Sequence, residues 1–527
     1  MKRALFATAL LLGLSTAPVF ADAPASSAPI IKTDSGAVRG ITQGAVQSYL
    51  GIPYAAPPVG ELRWNPPHRP KAWKAVFDAS KFGAECPQNA DLGVFAKPGG
   101  AEDCLTLNVF APTDVQSSSA KLPVFVWIYG GSLLVGSSGD YDARKLAVEG
   151  KAIVVTFNYR LGLLGFFAHP ALDKEGHAFA NYGLMDQNFA LDWVQRNIAA
   201  FGGDPKNVTL AGESSGGTSV LSQIVSPWSA GKFQQAIAMS GSAVIYKFPR
   251  FGAPTPLPDA EKLGGDFAKA AGCAATDVKC LRQLPVETIL AKQKPYTIVQ
   301  TIIDGNFLPM SHAEAFKSGK FNHVVLIDGG DRDEARFFLG LGESAGGQPM
   351  SVANYAGAIG GYFGKPLGDA ALKEYPLDAY NSPSEGWSAA VSDAFFACPA
   401  RAIDRWVGAT TPVYAYEFAD QTAPSYLNPT SYPQGAAHTS ELAYLFPGFH
   451  GGAGNAVSLN AMQAKLSAQM VATWSHSYQL NTVAADWSKY DAHKDNVVRF
   501  SLPAARMTER SFRTMHHCDF WDKRGIY

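Results

Sequence analysis

The sequence predicts an α/β fold with a large, mostly parallel central sheet and flanking helices. Short, continuous apolar runs recur along the chain, and such runs fit central strands that are covered on both faces. Residues 181–200 carry apolar side chains at helical spacing. Strands that alternate with helices favour an open α/β sheet. Strands are predicted at residues 105–110, 123–129, 152–157, 207–211, 236–239, 323–327 and 411–418.

Two regions flank this predicted sheet. Residues 30–51 contain short alternating stretches broken by glycines, which predict β-hairpins. Residues 340–410 are mostly helical or loop-like and predict a helical cap over the carboxyl edge of the sheet. Because no segment resembles a linker, we predict one domain over residues 22–527, although the length alone would suggest three.

The composition is that of an ordinary globular protein. Of the 527 residues, 47% are hydrophobic and 17% are charged, with a formal net charge of −1. This balance gives no electrostatic reason to expect nucleic acid or an anionic membrane as a partner. After the N-terminus, no apolar run is long enough to span a bilayer.

The N-terminus has the three parts of a secretory signal peptide. Lys2 and Arg3 form a basic region, residues 4–14 are apolar, and small residues end at Ala21. A membrane anchor is the alternative, but the apolar stretch is too short and lacks a stop-transfer flank. We therefore predict a signal peptide over residues 1–21, cleavage after Ala21, and a secreted or periplasmic protein of bacterial type.

Six cysteines fit an oxidising compartment, where disulfides persist. Six cysteines allow 15 pairings, and buried free thiols or a metal site are alternative interpretations. No Cys-x-x-Cys or clustered Cys/His spacing supports a metal. Pairing of nearest neighbours predicts the disulfides Cys86–Cys104, Cys273–Cys280 and Cys398–Cys518.

Residues 212–216 read Gly-Glu-Ser-Ser-Gly, which is the most informative motif in the chain. A β-prone segment at 207–211 precedes it, and residues 217–225 could form a helix. Gly-x-Ser-x-Gly between a strand and a helix is the nucleophile elbow. The pattern predicts that Ser214 is an exposed nucleophile and that the N–H of Ser215 faces a developing oxyanion.

Several further segments resemble the type-B carboxylesterase family of α/β-hydrolases, which includes the cholinesterases. The resemblance runs through most of the mature chain. It is carried by residues 51–55 (GIPYA) with 57–60 (PPVG), 102–109 (EDCLTLNV), 158–160 (NYR), 183–187 (GLMDQ) and 201–205 (FGGDP). It implies an α/β-hydrolase fold, hydrolysis of small-molecule carboxylic esters without a cofactor, and the three disulfides proposed above.

A serine nucleophile needs a histidine base and an acid that orients it, in the chain order serine, acid, histidine. His438 lies in a loop of small residues after the predicted strand 411–418 and matches the family's catalytic histidine. His323 begins a strand and precedes the acid, so it fits poorly. His516 and His517 adjoin a cysteine near the C-terminus and are predicted to be structural.

The acid is expected in the carboxylate-rich segment 328–334, directly after the strand 323–327. The resemblance implies Glu334, and Asp333 is the alternative. Ala335 stands where the family usually has glycine, which alters the local backbone freedom. A calcium loop is another interpretation, but the spacing does not follow the EF-hand pattern.

Backbone N–H groups after an earlier strand should form the oxyanion hole. By resemblance, the donors are Gly131, Ser132 and Ser215. Ser132 replaces a third glycine and narrows the site or adds a hydrogen bond, while Ser215 replaces the usual alanine. The resemblance also implies accessory roles for Ser240, near the base and acid, and for Glu213, beside the nucleophile.

The predicted function is carboxylic ester hydrolysis through an acyl-enzyme on Ser214. The segment between Cys86 and Cys104 contains no tryptophan, and a tryptophan there binds the quaternary ammonium in cholinesterases by cation–π attraction. Choline esters are therefore disfavoured relative to apolar or aromatic esters. Amides, carbamates or lactones are alternative substrates. A non-catalytic binding protein on this fold is a further alternative, although all three triad residues are kept. The sequence does not indicate the oligomeric state.

Overall fold

The computed structural model describes residues 25–115, 121–245, 253–298, 300–477, 487–503, 505–509 and 511–527. The predicted signal peptide, residues 1–21, lies outside these ranges. The β-strands are Ser26–Lys32 (β1), Ala37–Gln43 (β2), Val46–Pro53 (β3), Phe77–Asp78 (β4), Thr106–Pro112 (β5), Leu122–Ile128 (β6), Ile153–Phe157 (β7), Gly203–Glu213 (β8), Gln235–Met239 (β9), Thr255–Pro256 (β10), Ile302–Ile303 (β11), Val325–Asp331 (β12), Val413–Phe418 (β13), Val497–Ser501 (β14) and Ala505–Glu509 (β15).

A large mixed sheet dominates the fold. Its main path has the order β1-β2-β3-β5-β7-β6-β8-β9-β12-β13-β14-β15, and β4 pairs with β2. From β7 to β14 along this path, successive strands run parallel to one another. The pairs β1–β2, β2–β3, β3–β5, β5–β7 and β14–β15 are antiparallel. The carboxyl ends of β6, β8, β9, β12 and β13 therefore lie at one edge of the sheet.

Helices connect and cover these strands. They are Arg144–Val148 (α1), Gly162–Gly165 (α2), Tyr182–Asn197 (α3), Ser215–Val225 (α4), Leu257–Ala270 (α5), Val278–Gln283 (α6), Val286–Lys292 (α7), His312–Ser318 (α8), Arg336–Ser344 (α9), Val352–Phe363 (α10), Lys365–Glu374 (α11), Pro383–Ser392 (α12), Cys398–Val407 (α13), Leu442–Leu445 (α14), Ala461–Ser475 (α15), Phe512–Met515 (α16) and Cys518–Arg524 (α17). A π-helical turn, Asp393–Ala397, joins α12 to α13.

The predicted strands correspond to β5, β6, β7, β8, β9, β12 and β13, and their ends differ by a few residues. The largest difference at a carboxyl end is in β12, which continues through Gly329 and Gly330 to Asp331. The glycines fit this part of β12 because the neighbouring strand lies very close. A Cβ at Gly329 would be 2.1 Å from the carbonyl oxygen of Tyr416 on β13. Close packing of two backbones explains a glycine that sequence patterns assign to a loop.

The six cysteines form three disulfides, Cys86–Cys104, Cys273–Cys280 and Cys398–Cys518, in the pairs predicted from the sequence. Disulfides of this kind fit an extracellular or periplasmic protein. Within the described ranges, every helix is too short or too polar to cross a membrane.

Candidate active site

Ser214 occupies a sharp turn between β8 and α4, with φ 58° and ψ −124°. Such a conformation is strained for a residue that has a side chain. Glycines on both sides permit the turn. A Cβ at Gly212 would lie 2.6 Å from the backbone of Gly216, and a Cβ at Gly216 would lie 2.2 Å from the carbonyl oxygen of Ile128. Ser214 thus stands at the carboxyl edge of the sheet, as the elbow motif predicts, but it is half-buried rather than exposed.

His438 and Glu334 are in direct contact, although 104 residues separate them in the chain. Glu334 lies in the turn after β12, and His438 lies in the loop after β13. The imidazole Nδ1 is 2.5 Å from Glu334 Oε2, and Glu334 Oε1 accepts a hydrogen bond from the N–H of Asp331 at 2.9 Å. Both side chains are buried. A charge-assisted bond of this kind fixes the orientation of the ring.

Asp333, the alternative acid, points elsewhere. Its Oδ2 accepts a hydrogen bond from Gln421 Nε2 at 2.6 Å, and its Oδ1 lies 3.3 Å from Arg336 Nη2. Of the two candidate acids, Glu334 is the one that contacts His438.

Glu213 approaches the other side of the imidazole. Its Oε1 lies 3.2 Å from His438 Nε2, and its side chain is completely buried. Within the described residues, neither carboxylate oxygen accepts a hydrogen bond. Burial therefore raises the pKa of Glu213 well above its usual range, and Glu441 and Glu334 raise it further, against the lowering effect of His438.

The charges around His438 favour the imidazolium form. Burial lowers the pKa of the imidazole, but the carboxylates of Glu213 and Glu334 outweigh this effect and raise the pKa to about 9. A histidine base acts only when it is neutral. The neutral form of the His438 imidazole, which a general base requires, is therefore favoured at alkaline pH.

Among the described residues, the Ser214 hydroxyl makes no hydrogen bond to His438, whose Nε2 lies beside Glu213. Catalytic hydrogen bonds often tighten only when substrate is bound.

The candidate oxyanion loop follows β6. Gly131 has φ 110°, Ser132 has φ 57° and Leu133 has φ 60°. A Cβ at Gly130 would be 3.0 Å from Ser214 Cβ, so this loop packs directly on the elbow. The hydrogen bonds of the described residues leave the N–H groups of Gly131 and Ser132 without an acceptor. The N–H of Ser215 is in the first turn of α4, where helical N–H groups lack an intrahelical acceptor.

Ser240 follows β9 and lies beside the acid. A Cβ at Gly330 would be 2.4 Å from Glu334 Oε1 and 3.0 Å from Ser240 Oγ, so both side chains border the same glycine. The Ser240 hydroxyl is buried and has no hydrogen-bond partner among the described residues. The structure thus brings Ser240 and Glu213 into the neighbourhood that the resemblance implies for them.

Sequence reasoning missed a buried carboxyl pair next to the triad. Asp331 and Glu441 are buried, and Asp331 Oδ2 accepts a hydrogen bond from the N–H of Ser440 at 3.1 Å. Burial and the proximity of Glu441 raise the pKa of Asp331 well above its usual range, and burial raises the pKa of Glu441 to about 7. A run of acidic residues at 328–334 was visible, but nothing in the sequence pairs it with Glu441.

Aromatic rings that the sequence did not single out surround His438. The rings of Phe337, Phe338 and Phe396 lie 5.9, 5.1 and 5.3 Å from the imidazole, centroid to centroid. Phe396 comes from the π-helical turn, and π-helical turns are frequent at functional sites. Phe95, from the segment between Cys86 and Cys104, packs on Phe337 at 5.9 Å. An apolar wall therefore borders the candidate base.

Among the residues that the structure describes, no group of three or more His, Cys, Asp or Glu side chains is arranged to hold a metal ion.

Comparison with known proteins gives one consistent result. Residues 27–521 match the Carboxylesterase family. The chain is 36% identical to the para-nitrobenzyl esterase of Bacillus subtilis (strain 168), over 80% of this chain and 83% of that protein. It is 33% identical to the cocaine esterase of Homo sapiens, over 94% and 92% of the two chains. A solved structure of a PNB esterase superposes with a TM-score of 0.77 at 30% identity, covering 92% of this chain and 99% of the other.

The sheet topology and the structural match define the fold as that of an α/β-hydrolase. The chain belongs to the carboxylesterase family and is a carboxylic ester hydrolase. The predicted fold class, the family resemblance and the reaction class are thereby confirmed.

Proposed function

We propose that this enzyme hydrolyses carboxylic esters through an acyl-enzyme on Ser214, with His438 as general base and Glu334 as the orienting acid. The contact of 2.5 Å between His438 Nδ1 and Glu334 Oε2, next to the strained elbow, is the observation that carries this assignment. It leaves Nε2 as the ring nitrogen that serves the serine.

The proposed reaction has two halves. Ser214 Oγ attacks the ester carbonyl while His438 Nε2 takes its proton, and the N–H groups of Gly131, Ser132 and Ser215 receive the tetrahedral oxyanion. His438 then protonates the leaving alcohol, which departs as the acyl-enzyme forms. Water, deprotonated by His438, attacks the acyl-enzyme and releases the acid.

Apolar or aromatic esters are the proposed substrates. The apolar wall of Phe337, Phe338 and Phe396 beside His438 supports this class. The segment between Cys86 and Cys104 contributes Phe95 to this region and has no tryptophan for a choline group. We also propose that Ser132 disfavours esters of bulky tertiary alcohols, because it adds a side chain where a glycine would leave space.

Amides, carbamates and lactones remain alternative substrates because the same groups serve those reactions. The ratio of the rates on matched ester and amide substrates distinguishes them.

We further propose one mature domain over residues 22–527 that is exported after cleavage behind Ala21. The three disulfides support an oxidising destination. N-terminal sequencing of the protein recovered from periplasm and medium tests the cleavage site. A protein that begins at Met1 in both fractions would contradict it.

The central test is a panel of p-nitrophenyl esters with short to long acyl chains, assayed with the native enzyme and Ser214→Ala. We expect activity in the native enzyme and a loss of about 10⁶-fold in kcat for the variant. Ser458→Ala, which changes an exposed serine, is the matched control and should keep full activity.

Equal activity of Ser214→Ala and the native enzyme would overturn the assignment of the nucleophile. The acyl-chain profile of the native enzyme measures the size of the acyl pocket, and tertiary alcohol esters with Ser132→Gly test the role of that side chain.

A further inference from the structure

The candidate oxyanion loop, Tyr129–Leu133, needs support from outside its own backbone. Three successive residues, Gly131, Ser132 and Leu133, have positive φ angles, and two of them carry side chains that disfavour this region. Such a backbone persists only where its surroundings hold it. Both ends of the loop are fixed by side chains.

Tyr159 holds the first end of the loop. Its phenol donates a hydrogen bond to the carbonyl oxygen of Tyr129 at 2.8 Å, and the two rings are stacked with centroids 4.5 Å apart. Both tyrosines are completely buried.

Ser215 holds the second end. The N–H of Leu133 donates a hydrogen bond to Ser215 Oγ at 3.2 Å. Burial raises the pKa of the Tyr159 phenol well above its usual range, and the neighbouring Ser215 side chain lowers it. The Ser215 hydroxyl therefore holds the end of the loop and lies close to the tyrosine that holds its beginning.

Two hydrogen bonds therefore fix the two ends of the loop. The Tyr159 hydroxyl donates to the Tyr129 carbonyl, and the Leu133 N–H donates to Ser215 Oγ. Alanine, the usual family residue at position 215, would leave the Leu133 N–H without this acceptor.

We propose that the Ser215 hydroxyl is a positioning residue for the oxyanion hole: together with Tyr159, it fastens the Tyr129–Leu133 loop to the helix that carries the nucleophile. Its backbone N–H and its side chain then have separate tasks, since the N–H faces the oxyanion and the hydroxyl places the other two donors. This inference rests on the proposed function, because it assumes that Gly131 and Ser132 supply those donors.

Three variants test the inference: Ser215→Ala, Tyr159→Phe and the double variant. Each keeps every backbone N–H. We expect kcat on p-nitrophenyl butyrate to fall about tenfold in Ser215→Ala with KM within twofold, because misplaced donors weaken binding of the transition state. Tyr159→Phe should lose a similar factor, and the double variant should lose less than the product of the two factors, because both changes loosen the same loop.

Inhibitor binding separates positioning from general structure. A trifluoromethyl ketone accepts Ser214 Oγ at its carbonyl carbon, so that the carbonyl oxygen becomes an oxyanion and His438 takes the serine proton. Its affinity should fall in Ser215→Ala by the same factor as kcat/KM. The matching methyl ketone, which stays trigonal, should bind equally well to both proteins.

Ser219→Ala is the matched control. It removes a buried hydroxyl one turn further along α4, where Ser219 Oγ accepts a hydrogen bond from Gln187 Nε2 at 3.1 Å. We expect its kcat to remain unchanged.

An unchanged kcat in Ser215→Ala, or an unchanged affinity for the trifluoromethyl ketone, would overturn the inference while Ser214→Ala remains inactive. An active Ser214→Ala would instead overturn the proposed function itself.

Discussion

Two buried histidines in this enzyme each lie between two carboxylates, but the further partners of those carboxylates differ. His438 lies between Glu334, 2.5 Å from Nδ1, and Glu213, 3.2 Å from Nε2. His516 lies between Asp393, 2.6 Å from Nδ1, and Glu417, 2.6 Å from Nε2. The carboxylates outweigh burial at both rings and raise the pKa of His438 to about 9 and that of His516 to about 10.

The two carboxylates beside His516 have further partners of their own. Glu417 forms an ion pair with Arg499 at 2.7 Å, and Asp393 accepts a hydrogen bond from Tyr375 at 2.8 Å. His516 therefore belongs to a network in which every carboxylate has further partners. Such a network fixes structure.

Around His438, one of the two carboxylates lacks such further partners. Glu213 accepts no hydrogen bond from the described residues, and Ser214 beside it is half-buried. Two carboxylates at a histidine therefore do not by themselves define a catalytic site. What distinguishes His438 is the half-buried Ser214 on the neighbouring elbow, which we propose as the nucleophile.

The sharpest test of the comparison is His438→Ala. We expect kcat to fall by about 10⁶-fold because the variant has no base for Ser214. Steady-state kinetics on p-nitrophenyl butyrate measures the loss. Retention of more than one hundredth of the native kcat would place the base elsewhere.

Glu334→Gln comes next, compared with Asp393→Asn at the other histidine. We expect kcat to fall by about 10⁴-fold in Glu334→Gln, because an amide no longer supports the imidazolium or the correct tautomer. Asp393→Asn should keep the specific activity of the folded protein. Equal kinetic losses in the two variants would remove the distinction between the sites.

His516→Ala should affect stability rather than chemistry. Removing the imidazolium leaves Asp393 buried without a cation and Glu417 with Arg499 as its remaining cation, so we expect the free energy of unfolding to fall by about 3–5 kcal/mol. Urea unfolding at pH 7 measures this change, and the specific activity of the folded fraction should stay within twofold. An active-site defect with unchanged stability would contradict the structural role.

The raised pKa of His516 predicts how the stability of the enzyme changes with pH. Its pKa in the folded enzyme, about 10, lies above the unfolded value of about 6.5, so its contribution is complete below about pH 6.5 and is lost as the pH rises towards 10. The native enzyme should therefore lose stability between pH 7 and 10, and His516→Ala should lose less. Unfolding curves with the same pH slope in both proteins would count against this.

The smallest expected effect is a shift in the pH profile of Glu213→Gln. The carboxylate of Glu213 stabilises the imidazolium of His438, so its removal lowers the pKa of the base. In the native enzyme kcat/KM should rise towards about pH 9, and in the variant this limb should move down by about one unit. Glu441→Gln, a weaker contributor, is the control and should shift it less. An unchanged pH dependence of kcat/KM in Glu213→Gln would show that the Glu213 carboxylate does not affect the pKa of His438.

The local parts of the site could be predicted from the sequence because they depend on neighbouring residues. The elbow needs glycines at 212 and 216 around Ser214, and the structure shows the backbone contacts that exclude a side chain there. The strands before the elbow and before Glu334 were visible as apolar runs. Single-sequence patterns of this kind are enough to place a motif at the edge of a sheet.

The parts that depend on distant contacts could not be predicted from residue patterns. The choice of Glu334 over Asp333 came from the resemblance, because neighbouring acids differ only in which one the fold turns towards His438. The pairing of Asp331 with Glu441 and the position of Phe396 arise from packing between segments that are far apart in the chain. Strands β14 and β15 also carried no clear signal.

The order of the candidate site residues along the chain has a consequence for biosynthesis. The candidate site needs the ends of β6, β8, β12 and β13, and its base lies at position 438, in the last fifth of the chain. Contacts over 104 residues and more close late, because long loops must be ordered before such contacts form. With the proposed triad, a nascent chain holds the serine without its base, and ester-cleaving activity would report that nearly the whole polypeptide has been synthesised and folded.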